Sequence, residues 1–338
     1  PPSGNTVDDQ ATIPPANNIL GNDQATLQPQ SEQTQGPGVS STETSSANRF
    51  GEYELLREIA RGGMGVVYLA RQVRLNRTVA LKMIRGAYTL DDNEVARFRQ
   101  EAEAAAGLHH PNIVPVYEIG EYEGQQYFCM KLVEGGTLAD HRKTLRKDRP
   151  AAARLMIRIA RAIHAAHGHG ILHRDIKPGN ILVDEAGEPH LTDFGLAKQL
   201  ESESGLTLSG QIMGTPFYMA PEQAEGGGKA VTTASDVYSL GAVFYELLTG
   251  APPHQGDSLV ETLRSVIDEE STSMRLKDAS IDQDLDTIVL KCLEKDPARR
   301  YGSAKDLAEE LDRWLEGKPI TARPITTPQR MAKWAKRK

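Results

Sequence analysis

The stretch His173-Arg174-Asp175-Ile176-Lys177-Pro178-Gly179-Asn180, followed downstream by Asp193-Phe194-Gly195, decides how this chain folds. Between the two, Ile181-Leu182-Val183 is an apolar run, Asp184 to Pro189 is rich in turn formers, and His190-Leu191-Thr192 returns. The segment therefore reads as a β-hairpin. An antiparallel return sets the residue before the first strand beside the residue after the second. Asn180 and Asp193 are thus expected to face each other across the open end, two hard oxygen ligands of the kind Mg²⁺ takes. Asp175 lies upstream on a loop that Pro178 and Gly179 keep from becoming helix. A carboxylate there is placed to orient a hydroxyl toward a metal-bound phosphate.

H-R-D-x-K-x-x-N followed by D-F-G resembles the signature of eukaryotic-like protein kinases, and the likeness runs over roughly residues 50 to 316. The resemblance implies an α+β, bilobal protein-kinase fold. Its small strand-rich N-lobe (50–133) carries one key helix, and its larger C-lobe (134–316) is helical. It also implies ATP and Mg²⁺. By resemblance Asp175 accepts or orients the proton of the substrate hydroxyl, Lys177 neutralises the γ-phosphate, and Asn180 and Asp193 hold the metal.

The wider composition agrees. Across 338 residues the net charge is −7 with mixed signs, which argues against a general nucleic-acid binder. The two cysteines, Cys129 and Cys292, lie far apart in apolar surroundings and are expected to be buried as reduced thiols. No run of eighteen apolar residues occurs, so nothing within the chain is expected to span a bilayer. Residues 1–49 are rich in Ser, Thr, Gln, Asn, Pro and Gly, without apolar periodicity, and read as a disordered tail. Strand-like runs follow from Tyr53 through Ile84, then a helix near Asn93 to Leu108, then strands at Ile113–Ile119 and Gln126–Val133. After Gly135-Gly136 the pattern turns helical, apart from the hairpin.

Ile59-Ala60-Arg61-Gly62-Gly63-Met64-Gly65-Val66-Val67 resembles a kinase glycine-rich loop, in which Gly62 and Gly65 let backbone N–H groups approach phosphate. It departs from the usual pattern at Ala60. In Val79-Ala80-Leu81-Lys82 the strand period puts Ala80 and Lys82 on one face. By resemblance Ala80 packs on adenine and Lys82 reaches the α and β phosphates. On the following helix Phe98, Glu101, Ala105 and Leu108 share a stripe, so Glu101 is a carboxylate on an inward face where an unpaired charge is costly. A Lys82–Glu101 ion pair is the economical expectation, and it matches the pair of active kinases. Met130-Lys131-Leu132-Val133 resembles the gatekeeper and hinge. Adenine is then expected on the backbone of Lys131 and Val133, between Ile59, Val67, Ala80 and Leu182.

Lys177, together with Gly214-Thr215-Pro216-Phe217-Tyr218 before Ala220-Pro221-Glu222, resembles serine/threonine kinases, so Ser/Thr hydroxyls of proteins are the expected acceptors. Arg174 is the cation that pairs with a phosphorylated activation segment in such kinases, and Thr207 and Ser209 fall where bacterial members autophosphorylate. A second copy of the chain is the expected partner in that reaction. Asp236 resembles the residue that anchors the catalytic loop, and Glu222 and Arg300 resemble a buried ion pair. His164, His167, His169 and His173 lack metal-ligand spacing. A pseudokinase scaffold is the alternative from another class, and a small-molecule phosphotransferase a third. From Lys318 to Lys338 there are seven Lys or Arg and no acid. This basic stretch (317–338) resembles a juxtamembrane exit, which implies continuation into a transmembrane helix and a place on the cytoplasmic face of the cell membrane.

Overall fold

The computed structural model describes residues 49–62, 65–84, 102–194, 216–226 and 231–322. The small lobe is built on strands β1 (Arg49–Phe50), β2 (Tyr53–Gly62), β3 (Gly65–Gln72), β4 (Arg77–Ile84), β5 (Val116–Tyr122) and β6 (Gln125–Met130). They form one antiparallel sheet in the order β1-β2-β3-β4-β6-β5. Alternation along β4 gives the sheet two apolar faces. Val79 and Leu81 pack outward with Tyr53, Tyr127 and Cys129, while Ala80 and Ile84 pack on the cleft side with Phe128 and Met130. Both cysteines are buried and free.

The limits of β5 and β6 differ from the sequence reading of Ile113–Ile119 and Gln126–Val133. β5 starts at Val116, not Ile113, because Pro115 has no N–H to give a ladder; its carbonyl instead accepts Lys131 N–H at 3.0 Å. β6 stops at Met130, where the chain crosses to the second lobe through Gly135 and Gly136, at φ +126° and +95°. Of the expected helix 93–108, the described part is helical over 102–106, with Ala105 and Leu108 buried and Glu103 exposed.

The large lobe holds α1 (Leu138–Leu145), α2 (Arg149–Gly168), α3 (Pro221–Glu225), α4 (Thr233–Thr249), α5 (Leu259–Asp268), α6 (Met274–Lys277), α7 (Gln283–Cys292) and α8 (Ala304–Leu315). Asp148 caps α2 by accepting Ala151 N–H, and Pro150 fits its first turn. α4 is apolar nearly all round, and every residue from Ser235 to Thr249 is buried, so it serves as the lobe's axis. Gly250 ends it in the left-handed conformation, φ +89°. Packing continues past Glu316. Ile320 is buried in the large core, and Glu310 accepts hydrogen bonds from Thr321 N–H, Thr321 Oγ1 and Ala322 N–H. The first residues of the basic stretch thus belong to the folded body, because a buried carboxylate on α8 holds them.

Candidate active site

The hairpin forms as expected, with β7 (Ile181–Val183) antiparallel to β8 (Pro189–Leu191) and Leu182 opposite His190. At its open end Thr192 N–H donates to Asn180 O at 3.0 Å, so Asp193 sits one residue beyond direct register with Asn180. A short 3₁₀ turn, Pro178–Asn180, brings Asn180 back onto Asp175. The Asn180 amide Nδ2 donates to the Asp175 carbonyl at 2.8 Å and to its Oδ2 at 2.9 Å. Lys177 Nζ lies 2.7 Å from the same Oδ2. With its nitrogen turned to Asp175, Asn180 presents its Oδ1 as a hard acceptor on the other side.

Asp193 arrives from the opposite wall. It adopts φ +59°, unusual for a residue with a Cβ, and its Oδ1 lies 2.6 Å from Lys82 Nζ. Lys82 stands on the cleft side of β4, as alternation requires. Its expected partner Glu101 lies outside the described residues, so Asp193 is the partner the structure describes. Thr207 and Ser209 also lie outside the described residues.

The loop carrying Asp175 is held from beneath. Asp236, fully buried on α4, accepts His173 N–H and Arg174 N–H at 2.9 Å each and contacts His167 Nε2 at 2.8 Å. Arg174 is left-handed, φ +62°, and its carbonyl accepts from Gln223 Nε2 at 3.0 Å. His173 is sealed in the core, stacked 4.6 Å from Phe194, with Nε2 3.2 Å from the Thr192 carbonyl. Burial pushes its imidazole pKa down, so it is neutral and acts as structure. Among the described residues no cluster of His, Cys, Asp or Glu has the form of a metal cage.

Between the lobes opens a cavity of ≈ 440 Å³. Ile59, Val67 and Ala80 roof it, Leu182 floors it, and Met130 to Val133 close its back edge. Gly62 has open space where a Cβ would sit. Gly65 does not: at φ +155° a Cβ would run into the Met83 carbonyl, so this glycine is required by the β3–β4 contact as well as by any phosphate. A second cavity of ≈ 50 Å³ lies behind Met130, against Lys82, Asp193 and Phe194.

Residues 53–311 match the protein kinase domain family. This chain belongs to the protein kinase family. Its domain is 41% identical over 262 residues to the serine/threonine-protein kinase PrkC of Bacillus subtilis (strain 168), a match covering 77% of this chain and 40% of the relative. It is 39% identical over 290 residues to PknB of Mycobacterium tuberculosis (strain CDC 1551 / Oshkosh), covering 84% of this chain and 46% of that protein. The chain thus spans less than half the length of these curated relatives. The crystal structure of the Mycobacterium tuberculosis PknI kinase domain superposes with a TM-score of 0.61 at 28% identity, covering 78% of this chain and 97% of that one. The bilobal fold is therefore that of protein kinases, and family membership implies ATP and a divalent metal.

Below this kinase site runs a framework of buried charge. Arg300 meets Glu222 in two parallel hydrogen bonds, 2.7 and 2.8 Å, and Ser235 Oγ adds a third at 2.7 Å. Burial pushes the Glu222 carboxyl up, but the hydrogen bonds from Arg300 and Ser235 outweigh it and leave the group below the usual carboxylate range. Sequence reasoning did not single out two further contacts. Glu246, buried on α4, accepts from both Arg142 and Tyr218, tying α1 to the segment before Ala220. Gln223, next to the Ala220-Pro221-Glu222 motif, reaches the loop that carries Asp175. Neither spacing nor residue type signals these contacts, since both depend on how α3 and α4 pack.

Proposed function

We propose that this chain transfers the γ-phosphoryl group of ATP to Ser and Thr hydroxyls of proteins, with Mg²⁺ as the metal. The observation that carries the reading is the hydrogen-bonded set Asp175, Lys177 and Asn180 facing Asp193 and Lys82 at the end of a cleft large enough for a nucleoside. Asp175 orients the acceptor hydroxyl and takes its proton. Lys177, now on Asp175, balances charge on the transferring phosphoryl group, and Lys82 holds the non-transferring phosphates. Asn180 Oδ1 and the Asp193 carboxylate are the oxygens that fit the metal, which when bound neutralises phosphate charge. Ile59, Val67, Ala80 and Leu182 take the adenine, with the backbone of Lys131 and Val133 at its edge. Nothing in the cleft favours a pseudokinase, since Lys82, Asp175 and Asp193 are all in place.

The kinase domain is taken as residues 50–316, with the packed exit to Ala322 added to it. Thr207 or Ser209 is proposed as the autophosphorylation site, phosphorylated by a second copy and read by Arg174. A location on the cytoplasmic face of the membrane rests on the basic stretch and on the likeness to longer relatives. Among the described residues no helix is long and apolar enough to cross a membrane. Transfer of label from [γ-³²P]ATP in Mg²⁺ to myelin basic protein tests the central reading. Wild type is expected to label it and Asp175→Asn to lose nearly all label; equal label in both refutes phosphotransfer through Asp175.

A further inference from the structure

Gln223 makes two hydrogen bonds that need opposite ends of an amide. Its Oε1 accepts from Ala220 N–H at 3.1 Å, which caps α3, and its Nε2 donates to the Arg174 carbonyl at 3.0 Å. Orientation is not in question, because a backbone N–H can only donate and a carbonyl can only accept. The Arg174 carbonyl belongs to the peptide plane that enters Asp175. The other edge of that plane, Asp175 N–H, donates to His173 O at 2.8 Å. The preceding plane is held by Asp236 through Arg174 N–H. Arg174 at φ +62° is a conformation that side-chain-bearing residues leave unless neighbours hold it. Turning its carbonyl swings the Asp175 Cα and with it the carboxylate.

We propose that Gln223 is a positioning residue for phosphotransfer, fixing the Arg174–Asp175 peptide plane so that the Asp175 carboxylate faces the acceptor. It never touches substrate. The same amide binds Ala220, so the end of the activation segment and the catalytic loop share one side chain. The inference rests on the assignment of Asp175 made above.

The bland reading, in which Gln223 only caps α3, predicts a different order of variants. Gln223→Met keeps the volume and loses both hydrogen bonds. Gln223→Glu keeps the acceptor for Ala220 N–H and adds a negative charge at a helix start, so its melting temperature should equal or exceed that of Gln223→Met. It also sets a carboxylate oxygen against the Arg174 carbonyl in place of the Gln223 amide donor. Positioning therefore predicts activity opposite to stability. We expect kcat to fall about tenfold in Gln223→Met and about a hundredfold in Gln223→Glu, with KM for ATP within about twofold. The measurements are steady-state phosphorylation of myelin basic protein and thermal melting, with Asp175→Asn run beside them. Wild-type kcat in Gln223→Glu, or activities that rank as the melting temperatures do, overturns the proposal while an inactive Asp175→Asn leaves the catalytic assignment standing. An active Asp175→Asn removes both.

Discussion

Arg300→Met separates the contribution of buried charge from that of packing. All five guanidinium donors of Arg300 are used: two on Glu222, and one each on the carbonyls of Ala234, Glu294 and Lys295, at 2.7 to 3.0 Å. Arg300 is 4% exposed and Glu222 7%, so removing the cation leaves a carboxylate with Ser235 as its remaining described side-chain partner and takes one donor from each of three carbonyls. Breaking a buried pair from one side costs about 3–5 kcal/mol. That is a large share of a domain stability of about 5–15 kcal/mol. Replacing both partners, as in Glu222→Leu with Arg300→Met, removes the stranded charge. What is left is the three carbonyls, at about 1 kcal/mol each, so the double variant should lose about 3 kcal/mol, well short of the sum of the singles. Urea unfolding followed by circular dichroism at constant m-value reads all three numbers. The pH dependence adds a second check. In wild type the folded pKa of Glu222 is depressed, so its contribution is present above the unfolded carboxylate pKa and lost as pH falls. In Arg300→Met burial is no longer offset by the guanidinium, only by Ser235 and the backbone, so the Glu222 pKa rises above its wild-type position, acid relieves the defect and the gap to wild type narrows. A loss below about 1 kcal/mol in Arg300→Met, or a double variant equal to the sum, refutes the reasoning.

Acid should also destabilise the domain through His254. This imidazole is buried between Ser265 Oγ at 3.0 Å, Ser271 Oγ at 2.9 Å and Lys295 Nζ at 3.2 Å, with Glu269 bonded to Ser265. Burial first, and Lys295 second, push its pKa down from 6.5 to about 4. The unfolded chain therefore binds the extra proton first. Stability drops by about 3 kcal/mol between pH 6.5 and 4, and His254→Gln should remove that part of the slope in denaturant titrations. Gly65→Ala should lower stability by about 1–3 kcal/mol in thermal melts, because its Cβ meets the Met83 carbonyl at a left-handed φ. Lys82→Met should lower kcat/KM for ATP by more than about a hundredfold, while melting stays within a few degrees, since it leaves Asp193 without its cation in a half-open cleft.

Much of the site was legible because its chemistry is local in sequence. The hairpin folds Asn180 back toward Asp193 through short-range turn rules, and strand alternation alone puts Ala80 and Lys82 on the cleft side of β4. What could not be read depends on distant packing. Pro115 moved the start of β5, a boundary that a run of apolar residues conceals. Ile320 reads as part of a basic tail because its neighbours are charged, yet the large core offers a slot and Glu310 supplies the acceptors that hold the chain there. Gln223, Glu246 and Arg142 carry no pattern of their own, since each is defined by the partner that α3, α4 and α1 bring to it.

Four non-glycine residues among those described have positive φ: Asn76, Glu123, Arg174 and Asp193. The first two sit in the tight turns between β3 and β4 and between β5 and β6, where a left-handed residue closes a hairpin at little cost. The other two lie in the candidate site, and each is held by side chains from elsewhere. Arg174 has Asp236 from α4 and Gln223 from α3, and Asp193 has Lys82 from β4. A left-handed residue costs about 1–2 kcal/mol when nothing holds it, so Arg174 depends on the packing of α3 and α4 and Asp193 on Lys82 of the small lobe. The geometry of the site is thus a property of the assembled fold rather than of the loop sequence. Weakening α4 or the Glu222–Arg300 framework should degrade phosphotransfer before it unfolds the chain. A framework variant that keeps full kcat while losing about 2 kcal/mol of stability would contradict that coupling.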